Sequence, residues 1–356
     1  MPADSSFTAD QIARARRYHR PLYFAQAADL ALGLLVLGLL AAFADWRIGP
    51  WWLAAALSGA IAAGIASAAA LPLSFWLGLR RERRWGFSTE SARGWAGDRL
   101  RQFLLSAAFS ALPVVGIVGL ARAFPSWWPA VAAAGAALLV LVLGLVAPVL
   151  IEPLFNRFAP LADAQLAEEL RALAVRAGVP VRDVLVADAS RRTTKVNAYV
   201  SGIGATRRVV VYDTLLGRAA PRELRLVVAH ELGHRRAGHV ARGTALGMAG
   251  AAAAVDVLWA VLADPRDPSI GPLVLLVGAL LELAALPFQT ALSRRWERQA
   301  DRFSLELTHD AEAFVSAHRE LALANLSDLD PPRWLYRLLF THPTAPERIA
   351  SARSTV

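Results

Sequence analysis

Residues 221–263 read PRELRLVVAHELGHRRAGHVARGTALGMAGAAAAVDVLWAVLA, and the two halves of this stretch decide what kind of molecule the chain forms. The first half has helical spacing: Pro221 can open a helix, and Leu224, Val227 and Val228 give it an apolar face. His230 and His234 lie one turn apart, so both imidazoles project from one side and can meet at a single metal ion. Glu231 is the next residue, about 100° further round, where it can reach a metal-bound water without ligating the metal. The second half, from about residue 244 to 263, is apolar enough to enter a bilayer. A metal motif of hydrolytic type therefore abuts a membrane span.

Outward from this stretch the apolar character continues. Hydrophobic residues make up 56% of the chain, too many for two soluble domains of this total length. Residues 23–44, 51–79, 103–124 and 127–151 each reach the roughly 20 residues that a helix needs to cross the hydrocarbon core. A last span is expected at about 270–292, giving six in all. Residues 152–239 have the composition of a small α/β domain. In it, 163–178 reads as an amphipathic helix with Leu166, Leu170, Leu173 and Val175 inward, and 183–187 and 207–212 read as strands. The expected organisation is a membrane domain over 1–151 with four spans. A catalytic region over 152–356 follows, holding the other two spans and a charged C-terminal part from 293.

Charge orients the spans. Lys and Arg number 38 against 29 Asp and Glu, and the excess clusters beside apolar segments, which suits anionic lipid head groups and not nucleic acid. Arg14, Arg16, Arg17 and Arg20 fill the N-terminal arm, and residues 80–101 are also Arg-rich. The loops near Asp45, near Arg122 and over 264–272 are short and poor in positive charge. The positive-inside rule then puts both termini and the metal motif in the cytoplasm. The apolar run after the N-terminal arm is too long for a signal peptide, so that arm is expected to be retained. Asp29, Asp256 and Glu282 lie within spans and fit either a water-filled interior or hydrogen bonds between helices.

The chain has no cysteine, so thiolate chemistry and Cys-ligated metals are excluded and any metal is held by His and carboxylate. Ala237 and Val240 stand where a metzincin needs Gly and His, which rejects that class. His239, five residues past His234, is expected to point away from the pair, as a solvent or interface histidine. The third ligand is then expected from a downstream carboxylate. Glu282 lies within a span, while Glu297 has Asp301 one turn on, where that carboxylate could orient a ligand histidine. Like charges at this spacing repel unless a cation lies between them. Glu297 could also be an ordinary partner of Arg294 or Arg298.

Five ordered motifs between about residues 154 and 348 resemble the type I CAAX prenyl protease family. They are Asn197-Ala198-Tyr199-Val200-Ser201-Gly202, Arg207-Arg208 with the run from Tyr212 to Leu216, the HELGH helix, the segment 293–301, and His342-Pro343 with Arg348. The resemblance implies a mainly α membrane protein: a ring of transmembrane helices around a water-filled chamber, capped by a small α/β gluzincin-type zinc domain. It implies one Zn2+ per chain on His230, His234 and Glu297, with Glu231 as general base. It further implies that the edge strand at Asn197 and Ala198 holds substrate backbone, and that His342 and Arg348 help bind substrate or the oxyanion. The family is described with seven spans, against the six counted here. The residues alone would make His342-Pro343 a turn.

The expected function is a zinc-dependent membrane endopeptidase that cuts a membrane-associated or CAAX-like C-terminal peptide, prenylated or not. An alternative within the same chemistry is a general quality-control protease of membrane proteins. One from another class is a catalytically silent membrane scaffold with a structural zinc, which would have no use for Glu231 beside an open coordination position. The Ala- and Arg-rich composition suggests a GC-rich bacterial genome, where prenylated proteins are not expected, and hence the inner membrane.

Overall fold

The computed structural model describes residues 6–202 and 204–354. Among these residues, six helices are long and apolar enough to span a bilayer. They are α1 (Ala9–Phe43), α2 (Trp51–Phe75, continued by a π turn over Trp76–Arg81), α3 (Ala92–Ala123) and α4 (Trp128–Val146, with a second π turn over Ala147–Ile151); α7 (His239–Val261) and α8 (Gly271–Thr308) follow the sheet domain. Thr8 opens α1 with a reciprocal capping box to Gln11, and Ser91 accepts from the backbone of Gly94 to open α3. All six run beyond the apolar segments read from sequence or match them closely. α1 starts fourteen residues before the expected span, because its Arg-rich first turns are helical too.

The spans contact one another in the order α1, α2, α3, α4, α7, α8 and back to α1, which closes a ring. The ring is pinched where α2, α3 and α8 meet. A Cβ on Gly59 would lie 2.5 Å from the Ser110 carbonyl oxygen, and one on Gly271 would lie 2.5 Å from the Gly59 nitrogen. Small residues let the three backbones touch, as packing in lipid requires. Phe43, Trp52, Leu138, Trp259 and Phe288 are exposed, a surface that water would penalise and lipid accepts.

Between α4 and α7 the chain builds a four-stranded sheet in the order β1 (Phe158–Pro160), β2 (Asp183–Ala187), β4 (Arg208–Tyr212), β3 (Ala198–Ser201). β2 and β4 are parallel and the two outer pairs antiparallel, so β3 is an edge strand. Helix α5 (Ala164–Arg176), capped by Asp163, packs Leu170, Leu173 and Ala174 on the sheet. Val175 does not join them: it is 65% exposed, because Ala174 takes the inward position one residue earlier. Helix α6 (Pro221–Arg236) covers the same core with Leu224, Val228 and Leu232. Three short helices end the chain, α9 (Ala311–Ala324), α10 (Arg333–Leu339) and α11 (Ala345–Arg353).

Candidate metal centre

Pro221 sits at the first turn of α6, where its missing N–H costs nothing, and the Glu223 carboxylate accepts the Ala220 N–H at 2.9 Å. Nine residues on, His230 and His234 emerge on the face that meets α8. Gly233 lies between them, and a Cβ there would stand 3.2 Å from Ala300 Cα and 3.0 Å from Phe303 Cδ1. The glycine thus lets α8 approach until Glu297 faces both histidines. His230 Nε2 and His234 Nε2 are 3.2 Å apart, and Glu297 is 3.3 Å from the first and 3.2 Å from the second.

Outer partners fix the protons. Asp301 Oδ1 accepts from His230 Nδ1 at 2.9 Å, so a neutral His230 presents a lone pair at Nε2. His239 Nε2 donates to Gln299 Oε1 at 3.1 Å, which leaves its Nδ1 to accept from His234 Nδ1 at 3.0 Å. His234 Nε2 therefore also carries a lone pair. With both imidazoles neutral, two lone pairs and a carboxylate converge, and buried Glu297 Oε2 has no hydrogen-bond partner. That arrangement is repulsive unless a cation joins it. Donors about 2.0–2.2 Å from a tetrahedral zinc stand about 3.3–3.6 Å apart, close to the separations here. Burial alone would push His230 down, but Asp301 and Glu297 outweigh it and raise its pKa to about 9, so the surroundings favour positive charge at this point, whether a proton or a metal ion in its place. The donor set fits zinc.

The place of His239 corrects the sequence reading. α6 stops at Arg236, Gly238 adopts a left-handed φ of 70°, and α7 restarts at His239. The break resets the helical phase and turns His239 back toward His234, buried and stacked on Trp296 at 4.9 Å. Gly238 was the available signal, since glycine commonly ends a helix.

The remaining candidates surround this centre. Arg348 Nε donates to Asp301 Oδ2 at 2.9 Å while its Nη2 bonds Oδ1, and its Nη1 lies 3.8 Å from Glu297 Oε2. His342 Nε2 is 3.3 Å from Glu297 Oε1, in the turn before α11. Buried His318, unremarked in the sequence, approaches Asp301 at 3.9 Å. A cavity of about 670 Å³ opens on the centre, lined by Glu231, Asn197, Ala198, His342 and Arg348 among others. Burial raises the Glu231 carboxyl above its ordinary range, and nearby Glu297 adds to the effect. Asp29, Asp256 and Glu282 lie away from this cavity, exposed on their helices.

Comparison with known proteins agrees with this picture. Residues 160–356 match the model of peptidase family M48, and residues 11–157 match a model described as the CAAX prenyl protease N-terminal region with five membrane helices, where this chain has four. The metalloprotease YhfN of Bacillus subtilis is 33% identical over 79% of this chain and 69% of its own length. CAAX prenyl protease 1 of Saccharomyces cerevisiae is 25% identical over 79% and 68%. The crystal structure of S. mikatae Ste24p superposes with a TM-score of 0.82 at 21% identity, covering 99% of this chain and 91% of that one.

Proposed function

The chain belongs to the type I CAAX prenyl protease family of M48 metallopeptidases, and from that premise we propose that it is a zinc endopeptidase using His230, His234 and Glu297 as ligands and Glu231 as base. The observation that carries the reading is the meeting of two imidazoles and a carboxylate 3.2–3.3 Å apart beside a second carboxylate that lines a cavity. Bound there, one zinc per chain would supply Lewis acidity, making water a nucleophile at neutral pH and polarising the scissile carbonyl. Glu231, poised by burial, takes a proton from the attacking water and returns it to the leaving amine. Asp301 and His239 hold the two imidazoles in the ligating tautomer. His342 and Arg348 stand on the cavity wall as donors to the oxygen that becomes negative, and Asn197 and Ala198 offer an extended edge to the peptide.

The substrate reading is a membrane-associated peptide carrying an apolar group. A second cavity of about 850 Å³ lies between α1 and residues 328–339 and shares Tyr23, Asp328 and Leu339 with the first. Its walls include Phe24, Leu30, Trp334 and Leu338. We place the centre on the cytoplasmic side of a bacterial inner membrane, from the Arg distribution.

The test is cleavage mapped by mass spectrometry on one peptide sequence with and without a prenyl group. Glu231→Gln should abolish cutting while zinc stays near one per chain; cutting that survives this change sinks the mechanism. Equal cutting of both peptides would assign the enzyme to unmodified substrates.

A further inference from the structure

β3 has one side bonded to β4, and its other side is partly taken by side chains. Asn197 shares a hydrogen-bonded pair with Tyr212, as the Tyr212 N–H to Asn197 carbonyl bond of 3.0 Å shows. Strand alternation then turns the peptide groups of Val196, Ala198 and Val200 away from β4. Val196 is engaged at both atoms by one side-chain amide: its N–H donates to Asn325 Oδ1 at 2.9 Å, and Asn325 Nδ2 donates to its carbonyl at 3.0 Å. The Asn325 amide thus mimics the peptide group of a neighbouring strand. On the other flank the Arg235 guanidinium donates to the Val200 carbonyl. Among the described residues, none bonds the Ala198 N–H or carbonyl, or the Val200 N–H. Val196, Ala198, Glu231 and Asn325 all line the cavity on the metal centre.

We propose that Asn325 and Arg235 are specificity-determining stops, which leave the Ala198 carbonyl as the one acceptor on this edge of β3 for a substrate amide. This rests on the peptidase reading above. A docking peptide exchanges two backbone hydrogen bonds with Ala198 through one of its residues, can accept one more from the Val200 N–H, and finds no further acceptor for its own amides along this edge. The enzyme then selects short extended segments, such as a chain end or a loop, over long β-strands, which would have to displace a bidentate amide at one side and a half-buried guanidinium contact at the other. The alternative role for Asn325, simply tying the end of α9 to the sheet, predicts a loss of stability and no change in which substrate amides matter.

The experiment is an N-methyl scan along a cleaved peptide, using full-length protein in detergent. Removing the one paired amide donor should lower kcat/KM by about ten-fold, and methylation two residues to either side should be neutral. In Asn325→Ala a second sensitive amide should appear two residues to one side. In Arg235→Ala it should appear on the opposite side. Sensitivity at alternate amides in the unaltered enzyme, or no sensitive amide at all, overturns the proposal without needing either variant. A scan that Asn325→Ala leaves unchanged, in protein that still cleaves, also overturns it. Failure of the peptidase reading is read separately, by cleavage that persists in Glu231→Gln.

Discussion

At the scale of single residues, the proposed centre depends on groups outside its ligand set. Asp301 is held between His230 and Arg348, so Asp301→Asn should leave the fold intact yet weaken zinc binding by about ten- to a hundred-fold, measured by competition with a chelator. His318 gives a prediction about acid. Burial, reinforced by the positive charge of Arg348, pushes its pKa from 6.5 down to about 3. The folded protein keeps it neutral while the unfolded chain binds a proton below 6.5, so its stabilising share is present above 6.5 and is lost as pH falls toward about 3. The drop in melting temperature between about pH 7 and about pH 5 should be smaller in His318→Gln than in the parent. How much of this was legible varied with chain distance. His230, Glu231 and His234 share one helix, and Glu297 with Asp301 stood out as like charges one turn apart. His342 and Arg348 are joined to them only by tertiary packing, so nothing local marked them, and a turn was the natural reading of His342-Pro343.

At the scale of elements, one contact sets the ligand geometry: α6 against α8 at Gly233. Gly233→Ala places a methyl group against the Ala300 backbone, and the resulting overpacking should cost about 1–3 kcal/mol in denaturant and lower zinc occupancy together. A larger side chain, as in Gly233→Val, should prevent the site from forming. Periodicity found these helices because each has a face to bury. It failed at Gly238 because counting residues assumes an unbroken helix, and a left-handed residue turns the following side chains by an amount no spacing rule contains. It misjudged Val175 for a gentler reason: Ala174, too small to stand out in the pattern, holds the inward position.

At the scale of the whole molecule, the ring of six spans and the charge distribution make a statement about sidedness that the absence of cysteine renders easy to check. A single cysteine at Asp264, in a charge-poor loop, should react with an impermeant thiol reagent on intact cells, and one at Arg84 only after permeabilisation; the reverse pattern would invert the orientation. One further consequence lies in α8, which runs unbroken through 38 residues from the pinched end of the ring to the carboxylates that face His230. At 1.5 Å per residue it is about 57 Å long, nearly twice the hydrocarbon thickness of about 30 Å. A rod that long behaves as a lever whose tilt is set by the lipid around one end and read out at the other. Turnover in vesicles should therefore pass through an optimum as acyl chains are lengthened, with metal content constant, making membrane thickness itself a regulator of proteolysis.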